Sequence, residues 1–349
     1  MPANLSPEYK EAEAAYRRAH EAQERLDCLR EMLRTIPKHK GTEHLQADIK
    51  TRIKELTEEL GGPRKGGAKS GPSLVVRPEG AAQWALVGPP NTGKSSLHAR
   101  LTGSHAVVGP YPFSTHVPLP GMMPHEDVLL QLVDLPPISP EIMEPWLPNA
   151  LQTADGALLV LDLGNPDCLE QARAVAQRLD EKRVSLVAEA NEAPASPATA
   201  PEGEGATADG MDDPFRRRLP TVLLANKSDL LQDPGAELEA FRDLSGLDFP
   251  ALVVSAETGL GLTAVAPLLI ERLGILRVYT KLPGHHAERD RPFTLRQGAT
   301  VHDVAVLVHR GRAHELKFAR IWGPSVAFDG QQVSATHPIA DRDVVELHW

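Results

Sequence analysis

Residues 88–95 read GPPNTGKS, which places two glycines, a lysine and a serine at the spacing G-x-x-x-x-G-K-[ST]. Glycines at these positions let backbone N–H groups close around a phosphate, and a following helix adds partial positive charge. We expect Lys94 to bridge the β- and γ-phosphates of a nucleotide, and the Ser95 hydroxyl to ligate Mg²⁺. The motif requires a preceding strand and a following helix, and the sequence predicts both, with the helix over Ser96–Leu101.

A second motif, Asn226-Lys227-Ser228-Asp229, directly follows the apolar run TVLLA and could select the base. The Asp229 carboxylate can accept hydrogen bonds from the N1–H and the exocyclic amino group of guanine. Adenine does not offer this pair of donors, and an unpaired acceptor costs a few kcal/mol. Asn226 is expected to tie this loop to the phosphate loop, and Lys227 to lie along the base. Together the two motifs predict GTP or GDP as the ligand.

The sequence Ser255-Ala256-Glu257 follows the next predicted strand along the chain. From that place a backbone N–H, that of Ala256, can reach the oxygen of guanine. The Ser-Ala pair is common in proteins, so this interpretation depends on its position alone.

Two further residues are candidates for sensing the metal ion. Asp134 ends the apolar run VLLQLV, where a carboxylate can hold Mg²⁺ through a water molecule. Thr115, within YPFST, is a candidate switch threonine that closes on Mg²⁺ and the γ-phosphate. The assignment of Thr115 depends on the family resemblance described below.

Residues 81–278 alternate short apolar runs with helical stretches, which predicts an α/β domain with a doubly wound, mostly parallel sheet. The predicted strands are Trp84–Val87, Val128–Val133, Ala157–Asp162, Thr221–Ala225 and Ala251–Ser255. Residues 188–214 interrupt the pattern with alanine, proline, glycine and acidic residues, which predicts a disordered acidic insert. The stretch from Gly164 to Pro220 otherwise offers one helix, Cys168–Arg183.

Residues 1–61 predict a helical hairpin that precedes this domain. Apolar residues recur at helical spacing in two runs, from Tyr9 to Ile36 and from Leu45 to Leu60, and Pro37 ends the first. Residues 62–80 are rich in glycine, proline, serine, lysine and arginine, which predicts a flexible basic linker.

Residues 290–349 predict a separate small domain, a mixed sheet crossed by one helix. The predicted elements are strand Phe293–Leu295, helix Val301–Arg310, and strands Arg320–Trp322, Ser325–Phe328 and Val344–His348. We interpret Trp322 as an anchor of this domain's core rather than as a surface for stacking RNA bases.

The composition limits the classes of partner. A chain of 349 residues, 41% hydrophobic, predicts two or three domains with a sizeable core. With a net charge of −10 and 4% aromatic residues, contact with nucleic acid requires a local basic patch, and no DNA sequence recognition is expected. Two distant cysteines favour a reducing compartment, and no apolar run approaches the ~20 residues of a membrane span. We expect a cytoplasmic protein with no membrane partner.

The motif strings together resemble the Obg superfamily of P-loop GTPases, and within it the developmentally regulated GTP-binding proteins. The strings that carry the resemblance are GPPNTGKSSL, YPFST, HVPLPG, DLP, NKSD and SAE. The N-terminal sequence TIPKHKGTEHLQADIKTRIKEL is similar to that family's helical hairpin. The sequence from PFTLRQGATVHDVAVLVHR to the C-terminus is similar to its TGS domain, a small β-grasp module.

The resemblance implies a set of site residues. The matching nucleotide-binding positions are Gly88, Asn91, Thr92, Gly93, Lys94, Ser95, Ser96, Asn226, Lys227, Asp229, Ser255, Ala256 and Glu257. Ser95, Thr115 and Asp134 match the Mg²⁺ positions, and Asn91 matches an asparagine that holds K⁺ against the phosphates in potassium-activated relatives. A K⁺ ion there would supply transition-state charge, so the resemblance implies catalytic roles for Lys94, Asn91 and Thr115. It also implies a ribosome or RNA partner. The basic residues of the linker agree with such a partner.

One departure from the family pattern bears on turnover. The pattern D-x-x-G reads here as Asp134-Leu135-Pro136-Pro137, and proline has no N–H to offer the γ-phosphate. Ile138 stands where Ras-like enzymes place a catalytic glutamine. Three outcomes stay open: slow K⁺-dependent hydrolysis, hydrolysis completed only on a partner, and nucleotide binding without turnover by a scaffold.

The chain also lacks the sequence of the folded module that the developmentally regulated relatives insert in the GTPase domain, so a partner that docks there is not assumed.

Overall fold

The computed structural model describes residues 6–19, 22–37, 42–60, 74–104, 117–188, 215–285, 287 and 291–349. The chain divides into two compact units, Met1–Ser73 with Thr199–Arg216, and Leu74–Ala198 with Arg217–Trp349. The α-helices in the described ranges are α1 Pro7–Arg18, α2 Ala22–Thr35, α3 Glu43–Leu60, α4 Lys94–Thr102, α5 Leu147–Leu151, α6 Cys168–Asp180, α7 Pro234–Ser245, α8 Val265–Arg272 and α9 Val301–His309. The strands there are β1 Ala82–Val87, β2 Leu119–His125, β3 Val128–Asp134, β4 Gly156–Asp162, β5 Val184–Val187, β6 Arg217–Asn226, β7 Ala251–Val253, β8 Ile275–Thr280, β9 Phe293–Arg296, β10 Phe318–Trp322, β11 Gln331–Val333 and β12 Asp343–His348.

A seven-stranded sheet forms the centre of the larger unit and confirms the predicted α/β class. Its order is β2-β3-β1-β4-β6-β5, with β7 also paired to β6, and every pair except β2–β3 is parallel. Alternate residues of β1 enter different cores, Ala85 and Val87 on one face and Trp84 and Leu86 on the other. A strand buried on both faces reads as a continuous apolar run, which is why the sequence revealed β1, β3, β4 and β6.

Two strands of this sheet escaped the sequence analysis. β2 contains Pro120, Gly121 and Pro124, residues that usually argue against a strand, but it lies at the edge of the sheet, where proline is tolerated. β5 is four residues long and pairs with the first part of β6. The predicted helix Cys168–Arg183 ends at Asp180, and the chain then enters β5. Most of the predicted insert, residues 189–214, lies outside the described residues.

The smaller unit corrects the prediction of two N-terminal helices, because the first of them is two separate helices. α1 ends at Arg18, and Ala19 takes an extended conformation with φ −68° and ψ 126°. The break brings Tyr9 and Leu29 into one buried cluster with Ile49 and Phe215. A continuous helix would hold Tyr9 and Leu29 about 30 Å apart, so tertiary packing overrides the uninterrupted helical periodicity.

The C-terminal residues form a second sheet of five strands, in the order β11-β10-β12-β8-β9, with α9 packed on one face. β8 is the parallel partner of β12 and the antiparallel partner of β9. Thus Ile275–Thr280 lies in this sheet, although the predicted boundary placed most of it in the preceding domain. The predicted strand Ser325–Phe328 is wrong: these residues form turns, and the strand after them is β11, entered through Gly330 at φ 78°.

The structure also corrects the role predicted for Trp322. In β10, Ala319 and Ile321 enter the core beneath α9, so Trp322 lies on the opposite face by strand alternation. Its half-buried indole is covered by the Lys281 ammonium, 3.8 Å from the ring centroid. This favourable cation–aromatic contact lies on the face of the sheet opposite the apolar core beneath α9, so Trp322 does not anchor that core.

The C-terminal sheet is fixed to the turn between β2 and β3. The Arg277 guanidinium contacts Asp341 at 2.7 Å, Asp127 at 3.2 Å and also Glu126. Tyr279 donates its hydroxyl proton to Asp127. The Asp341 carboxylate, against the effect of burial, raises the pKa of Arg277 further above its ordinary value, so this link stays charged.

Candidate nucleotide-binding site

The loop between β1 and α4 adopts a conformation that depends on its glycines. Gly88 has φ 148°, and a Cβ there would lie 2.5 Å from the Val160 carbonyl oxygen. Gly93 begins α4 with φ 86°, and Asn91 is left-handed at φ 61° with an exposed side chain. The backbone can therefore curl tightly above the start of α4, where helical N–H groups favour an anion.

Lys94 lies inside this loop. Its Nζ donates to the carbonyl oxygens of Gly88 at 3.0 Å and Pro89 at 2.7 Å, and the side chain is buried. Burial lowers the pKa of Lys94 to about 8, while the Asp134 charge acts in the opposite direction. Since an ammonium has three protons, the two bonds to the loop leave a third for a phosphate oxygen.

The structure brings Ser95 and Asp134 together. The Ser95 hydroxyl donates to Asp134 Oδ2 at 2.6 Å, which joins the first turn of α4 to the end of β3. With its proton directed at Asp134, Ser95 Oγ retains the lone pairs that a metal ligand uses. In the described ranges there is no group of three or more His, Cys, Asp or Glu side chains that could hold a metal ion. The Ser95 hydroxyl and the Asp134 carboxylate fit Mg²⁺, because that ion takes most of its ligands from phosphates and water.

The segment after Asp134 is fixed in place. Leu135 and Ile138 are almost completely buried in the core, and Pro136 and Pro137 are buried between them. The Ile138 N–H donates to the Gly88 carbonyl oxygen at 3.1 Å, so the segment is also bonded to the phosphate loop. Ile138 stands at the position where Ras-like enzymes place a catalytic glutamine. Its side chain faces the core and therefore cannot orient a water molecule.

Asn226 joins the phosphate loop to the loops predicted to hold the base. Its Nδ2 donates to the Thr92 carbonyl oxygen at 2.8 Å, and its Oδ1 accepts from the Ala256 N–H at 3.0 Å. The side chain is 1% exposed. A Cβ on Gly93 would lie 2.3 Å from Asn226 Nδ2, so the glycine is needed for this approach.

The other predicted base-binding residues lie on the same edge of the sheet. Asp229 is exposed, and its Oδ1 accepts a hydrogen bond from the buried Ser255 hydroxyl. Lys227 is left-handed at φ 61°, and its Nζ lies 2.8 Å from Asp162 Oδ2. Ser255 thus orients the carboxylate that the sequence assigns to guanine.

Asp162 is a site residue that sequence reasoning missed. It ends β4 directly beside Asn226, the last residue of β6, and fixes the Lys227 ammonium. A signal was present, because Asp162 ends a buried apolar strand as Asp134 does. Nothing in the sequence paired it with a lysine more than sixty residues later.

Two of the predicted roles need qualification. The Ala256 N–H is engaged with Asn226, so it would have to be shared for a bond to the guanine oxygen. Thr115 lies outside the described residues, so its role as a switch threonine stays a prediction. Ser96 and Glu257 lie where predicted, in the first turn of α4 and after β7.

Within the ranges described, no helix is both long and apolar enough to cross a membrane.

Family models match two parts of the chain. Residues 83–191 match the family described as 50S ribosome-binding GTPase, and residues 276–348 match the TGS domain. The second match begins at β8, in agreement with the membership of that strand in the C-terminal sheet.

The chain is similar over most of its length to several proteins. Developmentally-regulated G-protein 1 of Arabidopsis thaliana is 28% identical over 91% of this chain and 88% of that protein. A GTP-binding protein of Methanocaldococcus jannaschii is 27% identical over 93% of this chain and 92% of that protein. Among solved structures, NFeoB from S. thermophilus bound to GDP.AlF4- and K⁺ is 23% identical, covers 55% of this chain and 62% of that chain, and has a TM-score of 0.38. A structural likeness of that extent is too partial to bear on the site.

These findings confirm the resemblance inferred from the motifs. The chain combines an Obg-type P-loop GTPase domain with a C-terminal TGS domain, and its relatives are named as developmentally regulated GTP-binding proteins. Guanine nucleotide is accordingly the ligand class of the site.

Gly93→Ala should abolish the junction at Asn226. The new Cβ would displace the amide and break two hydrogen bonds of about 1 to 1.5 kcal/mol each, so we expect GDP affinity to fall about 100-fold. Gly103→Ala is the matched control, since Gly103 ends the same helix at φ 69° with nothing within 4 Å of a Cβ. It should cost about 1 kcal/mol of stability and leave GDP affinity intact in calorimetry. Equal affinity losses in both variants would contradict the role of Asn226.

The lowered pKa of Lys94 predicts a pH-dependent affinity. Because phosphate binds the charged ammonium, affinity is full well below pH 8 and falls as pH rises through that value. At pH 8.5 about a quarter of the lysine is charged, so GDP should bind about fourfold more weakly than at pH 7. Lys94→Arg, which stays charged, should show no such loss. A flat profile for the native chain would contradict the lowered pKa.

Proposed function

We propose that this chain binds GTP and GDP with Mg²⁺, hydrolyses GTP slowly with stimulation by K⁺, and associates with the ribosome or its RNA as a nucleotide-dependent switch. The observation that carries the proposal is the Asn226 side chain, which bonds the phosphate loop on one side and the Ser255-Ala256-Glu257 loop on the other. A single buried amide thereby sets the distance between a phosphate site and a base site.

Selection of guanine is supported by the geometry of Asp229. Ser255 occupies Oδ1, which leaves Oδ2 and the second lone pair of Oδ1 to accept the guanine N1–H and amino group. Lys227 would lie along one face of the base, held there by Asp162. Adenine would leave the carboxylate without a donor, which disfavours ATP.

Hydrolysis requires a water molecule to attack the γ-phosphorus while its bond to the β–γ bridging oxygen breaks and GDP leaves. Lys94 and the loop N–H groups stabilise the charge that develops on the phosphates, and Mg²⁺ at Ser95 and Asp134 would neutralise part of it. Asn91 has an exposed amide at the crest of the loop, where its oxygen could hold K⁺. Ile138 stands where Ras-like enzymes place the glutamine that positions the water, and its buried apolar side chain cannot do so, so this chemistry should be slow.

A nucleotide-binding scaffold without turnover is the second candidate. The buried Pro136-Pro137 segment favours it, because this backbone offers no N–H at the position that senses the γ-phosphate and is fixed by its buried neighbours. Such a chain would bind GTP and GDP alike and would serve as an assembly platform.

Association with the ribosome is supported by the description of the matched GTPase family and by the TGS domain. The face of the TGS sheet opposite α9 adds the exposed Arg320 on a chain of net negative charge, whereas Lys281, which covers Trp322, is already paired with Glu346 at 3.1 Å. An exposed arginine can contact a phosphate of an RNA backbone.

Asp229→Asn tests the base contact. Asn retains an oxygen for the Ser255 hydroxyl but presents an amide donor where guanine also donates, so GDP affinity should fall about 100-fold. Xanthosine diphosphate, which carries an oxygen in place of the amino group, should bind the variant better than GDP does. Calorimetry with GDP, ADP and xanthosine diphosphate measures both effects. Equal binding of GDP and ADP by the native chain would refute guanine selection.

Single-turnover GTP hydrolysis in KCl and NaCl separates the enzyme from the scaffold. The enzyme predicts faster hydrolysis in KCl, with the K⁺ effect lost in Asn91→Ala and all activity lost in Ser95→Ala. The scaffold predicts no hydrolysis in either salt, and Pro137→Gly would then create activity that the native chain lacks. Nucleotide affinity measured in parallel shows that each variant still binds.

Sucrose gradients with ribosomes test the proposed partner. Comigration with ribosomal particles that weakens at high salt and differs between GTP and GDP would support a switch, since contacts to phosphates are salt-dependent. Arg320→Ala should weaken it, whereas Arg312→Ala, at an arginine paired with Glu315 elsewhere in the TGS domain, should not. Migration as free protein with both nucleotides would contradict the association.

A further inference from the structure

We propose that His98 is a positioning residue for the Mg²⁺ site: it holds α4 and β3 at the separation at which Ser95 and Asp134 can share one ion. The inference rests on the proposed binding of nucleotide with Mg²⁺. None of the sequence motifs includes His98, and its side chain is completely buried.

His98 makes a second link between the two elements that supply the metal ligands. It lies on α4 about one turn after Ser95, and its Nε2 is 3.3 Å from the carbonyl oxygen of Leu132. Leu132 precedes Asp134 by two residues on β3. The Ser95–Asp134 bond and the His98–Leu132 bond are therefore successive links between one helix and one strand.

The hydrogen bonds of His98 define its protonation. A carbonyl oxygen only accepts, so Nε2 carries the proton, and Nδ1 then accepts from the Ser104 hydroxyl at 3.2 Å. Ser104 is in turn held by Thr102, whose Oγ1 accepts the Ser104 N–H. Burial lowers the pKa of His98, against the Asp134 charge and the Leu132 carbonyl, in agreement with a neutral ring.

The edge strand β2 closes the third side of the imidazole. Gly121 is paired with Leu132 across β2 and β3, and a Cβ on Gly121 would lie 2.7 Å from His98 Nε2 and 2.9 Å from Cε1. The ring thus fills the space between helix and hairpin, with 0% of the residue exposed. Any sliding of α4 along β3 would break a buried hydrogen bond or drive the ring into the β2 backbone.

A hydrophobic residue would fill this space without fixing the register. The neighbouring Leu97 is fully buried on the same helix and packs into the apolar core. A buried hydrogen-bonded ring specifies one arrangement, because a shift would leave its polar atoms without partners. Residues that orient metal ligands from beneath commonly change metal affinity about 10- to 100-fold when replaced.

The experiment measures GDP affinity as a function of Mg²⁺ concentration, and in EDTA, for the full-length chain and three variants. His98→Leu keeps the bulk but removes both hydrogen bonds, and it should raise the Mg²⁺ concentration for half-maximal tightening about tenfold. Its affinity in EDTA should match the native chain. His98→Gln, whose amide N–H can reach the Leu132 carbonyl, should restore most of the native Mg²⁺ dependence.

His337→Leu is the matched control. His337 makes the same kind of bond, from its ring to the Ser325 carbonyl oxygen at 3.1 Å, but within the TGS domain. Its replacement should leave the Mg²⁺ dependence unchanged, although it can lower the thermal midpoint.

The outcomes separate this inference from the proposed function. If native binding tightens with Mg²⁺ and His98→Leu follows the same curve, or loses affinity equally in EDTA, the positioning role is overturned while nucleotide binding stands. If His98→Gln behaves as His98→Leu does, the bond to Leu132 is not the cause. If the native chain shows no effect of Mg²⁺ on GDP affinity, the proposed metal site fails, and the role of His98 fails with it.

Discussion

The Asn226 side chain is the interaction on which the rest of the nucleotide site depends. One buried amide donates to the Thr92 carbonyl oxygen of the phosphate loop and accepts from the Ala256 N–H of the Ser255-Ala256-Glu257 loop. Because β1, β4, β6 and β7 are parallel, their carboxyl ends meet at one edge, and each is followed by a loop with polar residues. The Asn226 amide fixes the positions of these loops relative to one another. It can approach the phosphate loop because Gly93 has no side chain.

The same rigidity limits what the site can do. Binding benefits when loops are fixed in advance, because little conformational entropy is lost when the ligand arrives. Reporting the difference between GTP and GDP requires a segment with two arrangements. The residues after Asp134 are buried and bonded to Gly88, so they offer little freedom. Nucleotide-dependent change would then have to come from outside residues 135–138.

The β2–β3 hairpin connects three parts of this architecture. Its open end carries Asp134, its middle lies against His98, and its turn is bonded to Arg277 and Tyr279 of the TGS sheet. A TGS domain held in this way is not an independent module on a tether. Its orientation is set by the hairpin that ends at Asp134, which places the TGS sheet and the nucleotide-binding loops on one continuous framework.

The sequence by itself determined the chemistry: motifs at Gly88, Asn226 and Asp134 each follow a buried apolar strand, and short-range pattern alone marks such strands and loops. It also determined the α/β class, because fully buried parallel strands read as continuous apolar runs. Only the tertiary structure decided which residues meet across long separations. The pairing of Asp162 with Lys227, the bonds of His98 and the break after Arg18 leave no local signal, since each depends on packing between distant segments. For the same reason β8 could join the TGS sheet although it directly follows α8 in the chain.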